Sequence, residues 1–276
     1  MSQKADLHIH TYHSDGIYSP IEIIDKAIEK GISIISITDH DSTNALSEAI
    51  EYGREKGVEV IPGVEISTDI NNVEVHLLGY FINYTDEEFN KYLTFFREER
   101  LHRARRMVQK LNNLGMNVNL DDVLEEAKFS AIGRPHIATV MLKKGFVSDY
   151  YEAFDKYLGN NAPAFERKIH VSPQSALKLI SDAGGLAFVA HPGNIKESIL
   201  IELIEAGLDG IEVIHPSHQE HHLKFYRGIV SEYCLLDSGG SDFHGGFKND
   251  ADNFGSYLIS SSKIEAMRKM LIKDSA

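Results

Sequence analysis

The sequence is poor in cysteine, because Cys234 is the single cysteine among 276 residues. One cysteine excludes an intramolecular disulfide and any metal site built from several thiolates. Cys234 lies in the apolar run YCLLDSGG, where we expect a small, buried core residue. Covalent catalysis by cysteine is therefore not predicted.

Positive charge is also scarce. The chain has 28 lysines and arginines against 41 aspartates and glutamates, which gives a formal net charge of −13. This balance disfavours a broad electrostatic contact with nucleic acid, and we expect no stable duplex partner. It does not exclude small anionic substrates, because bound divalent cations would reverse the local field.

Long hydrophobic runs are missing as well. No apolar stretch approaches the roughly 20 residues that cross a bilayer. The N-terminal residues lack the basic segment, apolar run and cleavage site of a secretory signal. We therefore expect a soluble, cytoplasmic protein without a membrane partner.

Short β-branched segments alternate with amphipathic helical patterns, as in proteins with a parallel sheet. The helical segment SPIEIIDKAIEKG begins with a predicted serine cap, Ser19, continues with Pro20 and ends at Gly31. SPQSALKLISDAG repeats this pattern with Ser172 and Gly184. About seven strands with helices between them predict an α/β barrel one unit short of the familiar eight. The strand candidates are residues 5–10, 33–38, 58–63, 73–80, 186–190, 210–215 and 233–240.

Residues 86–165 interrupt this alternation with helical patterns alone. DEEFNKYLTFFREERLHRARRMVQKLNNLG predicts one long helix, and LDDVLEEAK and RPHIATVMLKKG predict two more. We therefore expect a barrel formed by residues 1–85 and 166–276, with an all-helical insertion of residues 86–165 between its fourth and fifth strands.

Histidines and carboxylates collect at the carboxyl ends of the predicted strands, where barrel enzymes place their catalytic groups. His8 and His10 are two residues apart at the end of the first strand, so both side chains project from one face. His76 is the exception, since it lies inside the fourth strand candidate. The carboxyl ends of barrel strands converge on one mouth, so we expect nine groups to meet there: His8, His10, Asp15, His40, Glu65, His76, His191, Asp242 and His244.

Nine such groups in a small space require cations, because the carboxylates would otherwise repel one another and the imidazoles would lack partners. Nitrogen and oxygen ligands without sulfur suit zinc, manganese or iron. Nine ligands exceed the coordination of one ion, so two or three divalent ions are predicted, with Glu65 and Asp242 as bridging carboxylates. Such a cluster activates water and binds the oxygens of a displacement reaction, as in phosphoester hydrolysis.

Six motifs in sequence order resemble those of the polymerase-and-histidinol-phosphatase (PHP) family: DLHIHTYHSDG, SITDHDS, IPGVEIS, VHLLGY, AHPG and GGSDFHG. More closely, the chain resembles the TrpH-like branch of metal-dependent phosphoesterases, which includes nucleoside 3′,5′-bisphosphate phosphatases and 5′-to-3′ exoribonucleases. The resemblance spans nearly the whole chain. It implies a distorted (β/α)7 TIM-like barrel, the PHP fold, with three metal ions at its mouth.

The resemblance also implies how the ligands are shared. One ion would bind His8, His10, Glu65 and Asp242. A second would bind Glu65, His76 and His191, and a third Asp15, His40 and His244. Several PHP members have histidine at the position of Asp15, so the third site would be weaker or would prefer a harder ion. Asp39 is expected to orient His40 from outside the ligand shell.

Substrate contacts are predicted in the insertion and after the sixth strand. In the TrpH-like branch the insertion reaches over the metal mouth, and Arg134 and His136 in SAIGRPHIATVMLKKG resemble its phosphate-binding pair. Arginine offers a planar fork for two phosphate oxygens, and Pro135 at a helix start leaves nearby amides available to an anion. The alternative is a surface arginine and a helix-capping histidine. His218 is a further candidate for substrate contact, whereas His215, His221 and His222 are expected to be structural or exposed.

The predicted function is hydrolysis of phosphate esters of small nucleotides, such as nucleoside 3′,5′-bisphosphates, or of the 5′ ends of short RNA. Inorganic phosphate is the expected product. Glu65 and Asp242 would act through the metals, while Arg134 would neutralise charge that develops on the phosphoryl oxygens. Three alternatives stay open: a histidinol phosphate phosphatase, a metal-dependent amidohydrolase, and a non-catalytic PHP metal module. The usual bridging lysine of amidohydrolases is not found at a strand end in the middle of the predicted barrel.

Overall fold

A computed structural model of the protein describes residues 3–70, 73–127, 132–167, 171–246 and 248–274. The chain divides into two compact units. The first comprises Met1–Lys91 and His170–Ala276, and the second Tyr92–Ile169. Ser130 and Ala131, which begin the predicted phosphate-binding motif, lie outside the described residues.

One sheet of eight strands forms the centre of the first unit, in the order β7-β6-β5-β4-β3-β2-β1-β8. A parallel bridge between Ile9 and Phe243 links the end of β1 to the segment after β7 and nearly closes the barrel. The predicted fold class is thereby confirmed. The strands are β1 (Lys4–Ile9), β2 (Ile34–Ile37), β3 (Glu59–Ile70), β4 (Val73–Tyr80), β5 (Leu186–Val189), β6 (Gly210–Ile214), β7 (Leu236–Gly239) and β8 (Ile259–Ser260).

The direction of β4 departs from the expected parallel sheet. β4 runs antiparallel to both β3 and β5, with Ser67 of β3 opposite His76. Only two residues separate Ile70 from Val73, whereas a parallel crossover needs about a dozen or more. The first half of β4 therefore lies beside the end of β3, and this reversal explains why His76 occupies a strand interior. The short β8, antiparallel to β1, was also not predicted.

Ten helices connect or extend these strands within the described residues: α1 (Pro20–Glu29), α2 (Leu46–Lys56), α3 (Glu87–Asn113), α4 (Leu120–Ala127), α5 (Arg134–Lys143), α6 (Tyr150–Ala153), α7 (Pro173–Asp182), α8 (Glu197–Glu205), α9 (Glu220–Glu232) and α10 (Ser261–Asp274). The predicted starts of α1 and α7 are confirmed. Ser19 forms a capping box with Glu22, and the Ser172 hydroxyl accepts a hydrogen bond from the Ser175 amide.

The second unit is helical where it is described. Its apolar core joins Met107 and Leu111 of α3 to Val123 of α4 and to Ile137 and Met141 of α5. A short π-helical turn, Phe154–Leu158, follows α6. In the first unit, the barrel interior is filled by large apolar side chains from several strands, including Leu7, Ile34, Ile61, Leu78 and Phe188.

The expectation of a buried Cys234 is wrong. This residue is exposed, and it lies after the end of α9 at Glu232 and before the start of β7 at Leu236. Its φ of +54° places it in the left-handed region, as a residue that reverses the chain after a helix. The apolar run therefore begins in a turn and only then becomes a strand.

Helices able to cross a membrane are not found in the described part of the chain, where none combines sufficient length with sufficient hydropathy.

Gly240 allows β1 to lie close to the segment after β7, because glycine has no side chain to fill the space. A Cβ atom at Gly240 would lie 2.3 Å from the His8 amide nitrogen and 2.4 Å from the His8 Cβ, whereas one at Gly228 in α9 would meet nothing within 4 Å. We expect Gly240→Ala to lower the free energy of unfolding by about 1–3 kcal/mol through overpacking. Gly228→Ala, the matched control, should raise it by about 0.5–1 kcal/mol through helix propensity.

Urea denaturation of both variants beside the wild type measures these changes. If Gly240→Ala were as stable as the wild type, the close approach of β1 would be contradicted.

Candidate metal centre

The carboxylate of Glu65 lies at the centre of the polar cluster and is fully buried. Five imidazole rings have a nitrogen within 3.3 Å of it: those of His8, His10, His40, His76 and His191. Oε2 faces the first three rings, at 3.2, 3.3 and 3.2 Å. Oε1 faces the other two, at 2.8 and 2.9 Å. Since the two oxygens face different groups of imidazoles, the carboxylate has the arrangement of a bridge.

Asp242 forms a second point of convergence. Its Oδ1 lies 3.2 Å from His10 Nε2, 3.4 Å from His8 Nε2 and 3.8 Å from His244 Nδ1. The backbone of Asp242 has a φ of +49°, a left-handed conformation that aspartate tolerates better than most residues. The turn after β7 therefore directs this carboxylate back toward the end of β1.

Asp15 joins the remaining ligand candidates. Its Oδ1 lies 3.3 Å from His244 Nε2 and 3.6 Å from His10 Nδ1, and its Oδ2 lies 3.8 Å from His40 Nε2. Oδ2 also forms a 2.6 Å ion pair with Lys248 Nζ. Lys248, half exposed in the loop after β7, was not among the residues predicted for the site.

The donor set suits divalent cations by its chemistry and spacing. Within the described residues, five groups of three or four residues have ligand atoms within 4.8 Å of one another. One is His8, Glu212 and His215, and the other four consist of predicted ligands: His10, Asp15, His40 and His244; His8, Glu65 and His191; His8, His10 and Asp242; His40, Glu65 and His76. His8 Nε2 and His10 Nε2 are 3.1 Å apart, near the roughly 3 Å separating two nitrogens that bind one ion at about 2.0–2.1 Å.

Opposite charges packed away from water shift the pKa values of these groups. Burial would raise the pKa of Glu65, but the surrounding imidazoles, His40 foremost, lower it well below the ordinary 4.5. Burial opposes protonation of His10, yet hydrogen bonds to Asp242 and Glu65 raise its pKa to about 10. At His76 the pull of Glu65 also outweighs burial and raises the pKa to about 9. Burial prevails at His40 and lowers its pKa to about 3.

Glu212 is a functional candidate that the sequence reasoning missed. It is fully buried in β6, with Oε1 2.9 Å from His8 Nδ1, and its Oε2 accepts a 2.7 Å hydrogen bond from the His191 amide. One carboxylate thus contacts two residues of the predicted ligand set. The available signal was an acidic residue inside the apolar strand GIEVIH, which is rarely buried without a partner.

Asp39 has different partners from those expected. Its carboxylate accepts hydrogen bonds from the Thr11 amide at 2.7 Å, the Thr11 hydroxyl at 2.6 Å and the Ser14 hydroxyl at 2.6 Å. These bonds fix the loop after β1, which carries Asp15. Asp39 therefore supports the metal candidates through this loop rather than through the ring of His40.

The histidines after β6 differ from the prediction in which of them lies at the site and which is structural. Both ring nitrogens of His218 are used within the protein, because Nδ1 donates to the Val213 carbonyl at 2.9 Å and Nε2 accepts from the Gly193 amide at 3.1 Å. This bonding gives no support to a substrate contact. His215, expected outside the site, is instead buried with Nε2 3.3 Å from Asp242 Oδ2. His222 bonds Asn194 at 3.0 Å and is structural, as expected.

Arg134 and His136 lie at the start of α5 in the second unit. The Arg134 guanidinium donates through one terminal nitrogen to the Leu158 carbonyl at 3.3 Å and to Asn160 Oδ1 at 3.2 Å. His136 Nδ1 accepts a 3.1 Å hydrogen bond from the Gly133 amide and so caps the helix. Their contact with a substrate phosphate stays a prediction.

The sequence model of the PHP domain family matches residues 6–166, more than half of the chain. The chain belongs to the PHP family. It is 32% identical over 246 residues to a 3′,5′-nucleoside bisphosphate phosphatase of Chromobacterium violaceum, covering 87% of this chain and 86% of the relative. It is 30% identical over 250 residues to a 5′-3′ exoribonuclease of Haemophilus influenzae, covering 88% and 91%.

A solved structure from Bifidobacterium adolescentis, named as a metal-dependent phosphoesterase, matches with a TM-score of 0.80 and 29% identity. The match covers 95% of this chain and 94% of that one. The predicted family is confirmed. The predicted activity class, hydrolysis of phosphate esters, is the class to which these relatives belong.

Metal binding should depend on pH because ions compete with protons for the ligand nitrogens. At pH 7 the raised pKa values of His10 and His76 keep both rings protonated without metal, and an ion must displace those protons. Each displaced proton raises the apparent association constant about tenfold per pH unit, so Mn²⁺ should bind more tightly at pH 8 than at pH 6.

Calorimetric titration at both pH values, in buffers of different ionisation enthalpy, measures the affinity and the protons released. Equal affinities without proton release would contradict the protonated cluster.

Proposed function

We propose that the protein is a metal-dependent phosphoesterase that works with two or three ions of manganese, iron or zinc. The observation that carries the proposal is the Glu65 carboxylate, buried among five imidazole nitrogens within 3.3 Å. A buried carboxylate in that setting would hold two ions of a multinuclear centre, one at each oxygen. Nitrogen and oxygen donors without sulfur suit these three metals.

The facing atoms support the division of ligands that the family resemblance implies. Glu65 Oε2 and Asp242 Oδ1 both face His8 and His10, which would hold the first ion. Glu65 Oε1 faces His76 and His191, which would hold the second. Asp15, His40 and His244 would hold the third. Divalent ions held there would activate water and offset the negative charge of a phosphoryl group.

Side chains of the protein, together with the ions, would bind and orient a small phosphorylated substrate. Since relatives are named as a nucleoside bisphosphate phosphatase and a 5′-3′ exoribonuclease, we propose a phosphate ester of a nucleotide or short oligonucleotide, with inorganic phosphate as product. Arg134 would bind phosphate oxygens through its remaining N–H groups, beside His136. The chain has a net charge of −13, and bound divalent ions would reverse the local field in favour of an anionic substrate.

Asp242→Asn tests this function with little change of shape, because asparagine tolerates the left-handed backbone at this position. We expect release of phosphate from adenosine 3′,5′-bisphosphate to fall about 10²- to 10³-fold, as when a major electrostatic contribution is lost. Asp237→Asn is the matched control, since Asp237 lies in β7 and pairs with Lys263 at 2.6 Å. It should retain wild-type turnover.

The assay should use metal-loaded protein, with metal content verified, on a panel of adenosine 3′,5′-bisphosphate, a 5′-phosphorylated dinucleotide, histidinol phosphate and an amide. Turnover of histidinol phosphate or the amide alone would favour the corresponding alternative. Hydrolysis of no member by metal-loaded wild type would favour a non-catalytic metal module. Full activity of Asp242→Asn would contradict the proposed centre.

A further inference from the structure

Strand β6 supplies no residue of the predicted ligand set, yet it brings two buried polar side chains to the metal centre. Glu212 lies within the strand, and His215 is the first residue after the strand ends at Ile214. Glu212 is fully buried and His215 is 6% exposed. Burial of these groups is costly unless each has a partner, so their partners indicate what they do.

The contact between Glu212 and His8 fixes which nitrogen of His8 carries hydrogen. Nδ1 of His8 lies 2.9 Å from Glu212 Oε1, and an ionised carboxylate can only accept. The other carboxylate oxygen accepts from the His191 amide, so both oxygens of Glu212 act as acceptors. Nδ1 therefore donates, and in the neutral ring that binds a metal the lone pair of His8 lies on Nε2. That nitrogen is the one that faces Glu65 and Asp242.

Glu212 also holds a second ligand candidate. Its other oxygen, Oε2, accepts a 2.7 Å hydrogen bond from the backbone amide of His191. His191 has a φ of +27°, outside the ordinary range for a residue with a side chain. The bond to Glu212 holds this backbone in place, so one carboxylate orients ligand candidates from β1 and from the end of β5.

The hydrogen of His215 can be located in the same way. The Ser217 backbone amide donates to His215 Nδ1 at 3.1 Å, and a backbone amide cannot accept. Nδ1 therefore has no hydrogen, and the neutral ring carries it on Nε2. Nε2 lies 3.3 Å from Asp242 Oδ2, on the opposite side of the carboxylate from Oδ1, which faces His8 and His10.

This tautomer separates His215 from the metal ligands. Ligand atoms of His8, Glu212 and His215 also lie within 4.8 Å of one another, which alone would allow an ion among them. Binding through His215 Nε2 would move its hydrogen to Nδ1, against the Ser217 amide hydrogen. Binding through His8 Nδ1 would break its bond to Glu212. The hydrogen positions therefore favour an orienting role.

We propose that Glu212 and His215, the β6 pair, are positioning residues for the ion held by His8, His10, Glu65 and Asp242. Glu212 directs His8 Nε2 at the ion, and His215 directs Asp242 Oδ1 at it by holding Oδ2. The inference rests on the metal centre of the proposed function and is independent of which ester is cleaved. Outer contacts of this kind change metal affinity by about 10- to 100-fold when removed.

Mn²⁺ titration followed by electron paramagnetic resonance tests the β6 pair without an activity assay. Glu212→Gln keeps an amide oxygen that can accept from the His191 amide but loses the acceptor for His8 Nδ1, and His215→Leu loses the contact with Asp242. Each should weaken one Mn²⁺ site about 10- to 100-fold and leave the affinity of the others unchanged. His215→Gln, whose amide still donates, should restore most of the lost affinity. Glu220→Gln and His221→Gln, exposed at the start of α9, are matched controls and should bind as the wild type does.

Thermal melting of each metal-free variant separates positioning from folding. Selective weakening of one site with an unchanged melting temperature supports the inference. Wild-type affinity in both Glu212→Gln and His215→Leu would overturn it, as would equal weakening of every site or failure of His215→Gln to restore binding. A protein that binds Mn²⁺ as expected but cleaves no ester would refute the proposed function and leave the β6 pair standing.

Discussion

The structure depends on the buried carboxylate of Glu65. Neutral imidazoles around it do not balance its negative charge, so the cluster needs added positive charge. Glu65 is reached by nitrogens from the ends of β1, β2 and β5 and from the interior of β4. Protons can balance this charge, as the raised pKa values of His10 and His76 indicate. Divalent ions balance it better, because each interacts with several donors at once. The barrel is the scaffold that holds these donors in place.

The residues that contact Glu65 are held in place by a second set of buried contacts. The strand ends supply the direct donors, and the reversed β4 allows His76 to reach Glu65 from the neighbouring strand. Around them, Glu212 and His215 on β6 hold donors from outside, and Asp39 fixes the loop that carries Asp15. Gly240 permits β1 to lie close enough to the turn after β7 for Asp242 to face His10.

Much of the centre could be predicted because its donors follow apolar strands at recognisable positions. His8 and His10 share a face through the two-residue period of a strand, and Glu65 follows a β-branched run. The outer contacts could not be predicted, because Glu212 occurs where the pattern indicates only a buried strand. Cys234 was misplaced since an apolar run does not show where a helix ends. The reversal of β4 was missed because the strand pattern is the same in either direction.

Anomalous diffraction from crystals grown with Mn²⁺ tests the central claim most directly, because it locates each ion independently of activity. We expect one peak between Glu65 Oε2, Asp242 and the pair His8 and His10, and a second beside Glu65 Oε1, His76 and His191. Glu65 would then bridge the two ions. Crystals at saturating Mn²⁺ without a peak next to Glu65, or with only one of its oxygens bound, would contradict the account.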